Sequence, residues 1–295
     1  MKKKPIALYL LICFLFSWAL MFSLYLLPEG MQSMGMSMIG IPSMMMPFLT
    51  VLLVKKCILK EKTGISWKLH LKGHVGTYLL AMYLPVGMTL LAAGLYFLFF
   101  PGQLDLSLQG TIAMMPPEAL EAAGGAEKLR MGLFAQLPMA ALLGWLVNVP
   151  MTLGEEGGWR GFLYPELEKK YGVRKSLIFG GIIWGLWHLP LTIQGHNYGL
   201  HYWGFPLVGI AMMCLFSITA GILLAWLTKK TDSIWPAVFC HSAINAFGPA
   251  FYYMIAPQYM EGGWKLLGPG VSGIIGMLPL MVLAFFALRN LSKEN

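Results

Sequence analysis

The chain has 295 residues, 57% hydrophobic and only 12% charged, with a formal net charge of +8. Soluble domains carry roughly 25% charged residues, so this composition excludes an ordinary soluble globular protein and points to a polytopic membrane protein. The basic excess raises nucleic acid as a partner, but lysine and arginine retained on the cytoplasmic side of a membrane explain it equally, and their distribution decides.

Lys2, Lys3 and Lys4 precede an apolar run over 5–27 that is too long for a signal-peptide core and lacks a small-x-small cleavage site. It reads as a first transmembrane helix. Further apolar runs lie near 36–54, 75–100, 132–153, 176–193, 204–227, 234–255 and 269–288. Eight spans of about 20 residues match a hydrocarbon core of roughly 30 Å. The predicted fold is therefore all-α: a single membrane domain over 1–295, with a catalytic core at 150–250 and an extracytoplasmic loop at 101–131. With the N-terminus in the cytoplasm, the inner segments carry 18 of the 21 basic residues, and only Lys128, Arg130 and Lys265 fall outside them. This orientation, with both termini cytoplasmic, accounts for the net charge without nucleic acid and places the chain in the cell membrane as a multi-pass protein.

Cys13, Cys57, Cys214 and Cys240 show no C-x-x-C spacing, so neither a disulfide framework nor a zinc ribbon is indicated, and buried, reduced thiols are expected. The Met-rich stretch from Met31 to Met46 has the soft ligands of a Cu(I) path, but adaptable packing in a kinked apolar helix is the favoured reading. The 101–131 segment, with Pro116-Pro117 and Gly124-Gly125, reads as a loop holding one short amphipathic helix.

The chemistry concentrates where the fourth span ends, in Gly154-Glu155-Glu156-Gly157-Gly158-Trp159-Arg160-Gly161. Charge at membrane depth costs roughly 2.5 to 3.5 kcal/mol per group on insertion scales and marks function by default. On helical geometry Glu155 lies about 21 Å above Lys169, His188 about 20 Å above Lys175, and His241 about 17 Å above Lys230. Three segments thus bring a carboxylate and two imidazoles to within about one turn of the same depth. Glu156 and Arg160 are four apart and pair along one face, whereas Glu155 is turned about 100° away and has no cation on its own helix. His241 and Asn245 also stand four apart, Trp184 sits one turn before His188, and Pro190 opens the backbone just beyond it.

Each residue has a bland alternative. A lone His or Asn in a transmembrane helix commonly bonds across to a neighbour, and Glu156 with Arg160 is at home as a structural ion pair. Glu155 differs, because a buried carboxylate without a cation takes a proton or holds water. The set has the parts of a hydrolase: Glu155 as general base, His188 and His241 to hold the water or orient a metal-bound one, and Asn245 to donate to an oxyanion. Glu155, His188 and His241 are also the candidate ligands for a zinc ion. Because H-E-x-x-H is absent and the three come from separate helices, metal-independent activation of water by Glu155 stands as the alternative.

These motifs resemble the CPBP intramembrane proteases, which include the CAAX prenyl endopeptidase Rce1 and the bacterial Abi proteins. The E-E-x-x-x-R pattern is met by Glu155-Glu156-Gly157-Gly158-Trp159-Arg160, F-x-x-x-H by Trp184 to His188 with Trp for Phe, and H-x-x-x-N by His241 to Asn245. The resemblance implies an eight-span helical fold, a cavity open to cytoplasm or lipid, and peptide-bond cleavage near the cytoplasmic half of the membrane. It further implies that Glu155 activates water, His188 and His241 bind it or a metal, Asn245 stabilises the oxyanion, and Glu156 and Arg160 support the site. The partners expected are a peptide or membrane-protein substrate and the lipid bilayer. Two rival classes stay open: a non-enzymatic membrane immunity or scaffold protein, and a proton- or metal-coupled transporter, against which the absence of inverted repeats counts.

Overall fold

A computed structural model describes residues 5–27, 35–260 and 262–292, so the expectations resting on Lys2–Lys4, on part of the Met-rich stretch and on the last three residues fall outside it. The described chain is helical, with a lone bridge between Leu104 and Ile255 as its β pairing. In order come α1 (Pro5–Phe22), α2 (Gly35–Leu52, carried on by a π turn at Leu53–Ile58) and α3 (Val75–Phe99). Two short helices follow in the next loop, α4 (Gln109–Ala113) and α5 (Pro117–Ala122), then α6 (Ala126–Val147). After these come α7 (Val149–Gly158), a π turn at Trp159–Leu163, α8 (Tyr164–Tyr171), α9 (Val173–Trp187) and α10 (Leu189–Thr192). The chain finishes with α11 (Leu207–Thr231), α12 (Trp235–Phe247), α13 (Trp264–Leu267) and α14 (Ile274–Leu291).

Among the described residues, six segments are long and apolar enough to cross a membrane: Pro5–Leu26, Ile39–Ile58, Val75–Phe99, Ala126–Val147, Leu207–Thr231 and Ile274–Leu291. The remaining two expected spans, 176–193 and 234–255, contain the shorter helices α9 and α12, of 15 and 13 residues. At 1.5 Å per residue these reach only about 20 to 22 Å, short of a roughly 30 Å core. The sequence explains both interruptions. Pro190 has no N–H to give to Leu186, so α9 stops at Trp187 and the chain restarts as α10. The carbonyl of Trp187, the last residue of α9, accepts from the Trp18 indole at 3.2 Å, fastening α1 to this break. α12 ends at Phe247, just before Gly248-Pro249, and continues as a 3-10 turn at Ala250–Met254.

Close approach between helices depends on glycine. A Cβ at Gly158 would run into Pro47 and the Tyr9 hydroxyl, and one at Gly154 would stand 2.6 Å from the Met44 carbonyl, so α7 lies almost directly on the α2 backbone. A Cβ at Gly185 would stand 2.5 Å from Cys214 Cα, which lets α9 seat on α11 in the same way. One hydrophobic cluster runs from Tyr9 and Cys13 of α1 through Trp159, Trp184 and Met213 to Leu280 of α14.

The lysine-rich segments gather at one end of this bundle. The 59–74 loop is tied to the α11–α12 turn by Ile234 N–H to Ser66 O (3.2 Å), by the Trp235 indole to Trp67 O (2.9 Å) and by Tyr78 to Ser233 (3.2 Å). Lys229 pairs with Glu168 at 2.5 Å, and Arg174 donates to Ser292 at 3.2 Å. At the opposite end the Leu104 region meets the segment after α12, through Asp105 N–H to Met254 O at 2.8 Å and Thr111 to Tyr253 O at 3.0 Å. The four cysteines are free, as expected, but burial holds only for Cys13 and Cys240. Cys214 is half-buried, and Cys57 is exposed because it lies beside Lys55 and Lys56 on the π turn where α2 reaches the polar end.

Candidate active site

The two adjacent glutamates occupy the last turns of α7 and are both buried, Glu155 at 2% exposure and Glu156 at 0%. Immediately after them the helix widens into the π turn at Trp159–Leu163, a distortion that recurs at functional sites. Arg160 sits in that turn and grips Glu156 with a two-pronged bond, Nε to Oε2 and Nη2 to Oε1. Its guanidinium lies over the rings of Trp184 (4.5 Å) and Tyr164 (5.1 Å), so the buried cation is faced by an anion and two aromatic surfaces.

Glu156 also accepts from His241 Nδ1 at 2.8 Å, joining α7 to α12. A carboxylate can only accept, so Nδ1 carries the proton and Nε2 is left with its lone pair when the ring is neutral. His188 is fixed the same way, with Nδ1 2.9 Å from the carbonyl of Trp184. Among the described residues neither Nε2 has a protein partner.

Glu155 is held by two indoles. Trp184 Nε1 donates to its Oε2 at 2.7 Å and Trp159 Nε1 to the same atom at 3.3 Å, while Oε1 has no partner among the described residues. Trp184, which the sequence places only as a neighbour one turn before His188, is therefore a hub. Its N–H orients the first carboxylate, its carbonyl orients His188, one face carries Arg160, and its ring packs edge-on to His241 at 5.3 Å. The signal was an amphipathic side chain, whose N–H seeks a partner when buried.

Glu155, His188, His241 and Asn245 all line one cavity of about 360 Å³, so the residues expected at one depth do meet. Glu156 and Arg160 do not line it and stand behind. Asn245 is exposed on the wall with its amide unpartnered among the described residues. His196, which the sequence reading did not single out, also lines the cavity, with its ring parallel to that of His188 at 6.4 Å. It lies outside the helices, and burial, then the nearby Lys265, push its pKa down to about 4, so it stands neutral there at pH 7. Ser242 locks the α12 side by donating to Gly144 O at 2.9 Å and accepting from Asn148 N–H at 3.0 Å.

The candidate zinc set was Glu155, His188 and His241. The imidazole tautomers would suit a metal, each with its other nitrogen bonded to an acceptor. The spacing does not: among the described residues no three His, Cys, Asp or Glu side chains gather closely enough to hold an ion.

Residues 135–247, which hold all six of the site residues, match a family model described as type II CAAX prenyl endopeptidase Rce1-like. CAAX prenyl protease 2 of Methanococcus maripaludis is 33% identical over 92 residues, covering 31% of this chain and 34% of that protein. The match thus spans about a third of that relative's length.

Proposed function

We propose that the chain is an intramembrane endopeptidase in which Glu155 activates the attacking water, a reading supported by the match of residues 135–247 to the Rce1-like family model. The observation that carries this reading is the asymmetry of the two carboxylates: Glu156 is saturated by Arg160 and His241, whereas Glu155 faces the cavity with one oxygen free. Water in the cavity donates one hydrogen to Glu155 Oε1 and is steadied through the other by a histidine Nε2. As its oxygen adds to the scissile carbonyl carbon, its proton passes to Glu155, and the Asn245 amide donates to the oxyanion. Glu155 then returns that proton to the leaving nitrogen as the C–N bond breaks, giving a carboxylic acid and an amine. Glu156 holds the His241 tautomer, and Arg160 holds Glu156.

The substrate is a peptide segment reached within the membrane. Met44, Leu191, Met213 and Phe216 supply an apolar wall suited to a lipophilic side chain, and the relative's name makes a prenylated CAAX peptide one candidate. The cavity walls continue to His196, Asn197 and Tyr252, at the end away from the lysine-rich segments. Together with the roughly 21 Å between Glu155 and Lys169, this favours a scissile bond beyond the midplane rather than in the cytoplasmic half.

Purified protein should cleave a fluorogenic membrane peptide, and Glu155→Gln should lower turnover by about 10² to 10⁴ while the protein stays folded, the contribution expected of a general base. Unchanged turnover in that variant would sink the proposal. The same assay after chelation should retain activity; loss with recovery on adding zinc would replace this reading with a metal-dependent one. Matched prenylated and unprenylated peptides then decide the substrate class.

A further inference from the structure

The candidate active-site cavity holds a third imidazole, His196, that the proposed reaction leaves unused. It stands between Gly195 and Asn197, whose backbones both take the left-handed conformation, at φ 98° and 65°. Glycine and asparagine adopt that conformation most readily, and the tight turn they form brings the ring to the cavity beside His188. His196 N–H to Leu191 O (3.0 Å) and Tyr198 N–H to His196 O (2.9 Å) fasten the turn, and the Tyr198 hydroxyl anchors it to Ser272 O at 3.1 Å. The ring therefore lies parallel to that of His188, within 3°, with centroids 6.4 Å apart. His188 and His241 each commit Nδ1 to a protein oxygen. Among the described residues His196 commits neither nitrogen, and neither is sealed in the interior. Its polar neighbours in the wall are engaged: Asn197 donates to Met213 Sδ at 3.5 Å, and Tyr252 and Ser272 bond to each other at 2.8 Å. With a pKa lowered to about 4 by burial and then by Lys265, the ring is neutral at pH 7, with one nitrogen to donate and one to accept.

A peptide cut at membrane depth has to be unwound first, because a helix covers each carbonyl with its own hydrogen bond. Unwinding frees N–H and C=O groups that lipid cannot satisfy, so the site has to pair them. In an extended chain, residues two apart face the same way and lie roughly 6.6 Å apart, close to the 6.4 Å between the two rings. We propose that His196 is a substrate-binding residue that pairs with the main chain of the unwound peptide two residues from the scissile bond, one ring nitrogen accepting from a peptide N–H while His188 serves the scissile group. The inference rests on the endopeptidase reading and adds to it the form in which substrate is held: an extended segment gripped by its backbone.

Purified full-length protein is assayed on fluorogenic membrane peptides that each carry one N-methyl group, moved along the main-chain nitrogens on both sides of the cleavage site. In the wild type, methylation two residues from the scissile bond on one side should lower kcat/KM about tenfold, as for loss of one hydrogen bond. His196→Phe keeps a ring against His188 and removes both nitrogens. On the unmethylated peptide it should raise KM about fivefold to tenfold with kcat within about twofold, and it should lose little more on the methylated one. That loss of additivity is what a purely structural ring would not show. A methyl penalty of equal size in wild type and His196→Phe would overturn the proposal. So would a wild-type scan with no sensitive nitrogen two residues away, a result that does not depend on any variant folding. Glu155→Gln on the same peptides separates the two readings: cleavage that needs Glu155 but ignores His196 removes only the grip, and absence of Glu155-dependent cleavage removes both.

Discussion

Two neighbouring glutamates have different surroundings here because about 100° of helical turn sends them to different partners. Glu156 meets a cation and an imidazolyl N–H; Glu155 meets two indole N–H groups and a cavity. The second arrangement makes a specific prediction about Trp184. The pattern this chain resembles has Phe at that position, which would keep the ring over Arg160 but lose the donor to Glu155. Trp184→Phe should therefore lower kcat about tenfold with little change in KM, since one hydrogen bond to a carboxylate is worth about 1.5 to 3 kcal/mol. Steady-state cleavage of the fluorogenic peptide reads this directly, and an unchanged kcat would mean that the ring alone matters. The pairing of Glu156 with Arg160 was legible from the i, i+4 spacing. Its bond to His241 was not, because the partner lies 85 residues away and only tertiary packing chooses between the two carboxylates.

At the level of helices, the site depends on α7 resting against α2 with glycine at the contact. Gly158→Ala would press a methyl group into Pro47 and Tyr9 and should cost about 1 to 3 kcal/mol through overpacking. A matched control is Gly94→Ala in α3, where an added Cβ meets nothing within 4 Å; it should be neutral or gain up to about 1 kcal/mol from helix propensity. Thermal unfolding in detergent compares the two, and an equal response would refute the close-packing account. Hydropathy found the runs that hold α9 and α12 but overextended both, and its 132–153 run joined α6 to the start of α7, which the structure separates at Asn148. Averaging over 234–255 hides Gly248-Pro249, and averaging over 176–193 hides the missing N–H of Pro190, although both breakers stand in the sequence. The breaks shape the candidate site, because His188 caps α9 and Asn245 lies in the last turn of α12, so the cavity forms where the helices stop.

Across the whole molecule, charge bias along the sequence and contacts in space agree on which segments share an end. The 59–74 loop, the α11–α12 turn, α8 and the C-terminal end of α14 interlock at the lysine-rich end, while the 101–115 and 253–260 segments meet at the other. Neither the bias nor the contacts alone says where substrate arrives, but together they make a testable topology. Cys57 is the exposed native thiol and lies at the lysine-rich end, with Cys13 and Cys240 buried and Cys214 half-buried. A membrane-impermeant maleimide should therefore label Cys57 in inverted membrane vesicles and not in intact cells. In a Cys57→Ser background, a cysteine introduced by Asn197→Cys on the wall of the candidate active-site cavity should show the reverse pattern. Labelling of both positions from one face would break the two-ended arrangement. Labelling of Cys57 from outside would invert the chain and return the scissile bond to the cytoplasmic half. The expected pattern leaves Glu155 reached from the side opposite the lysines, with Arg160 outside the lining of that cavity.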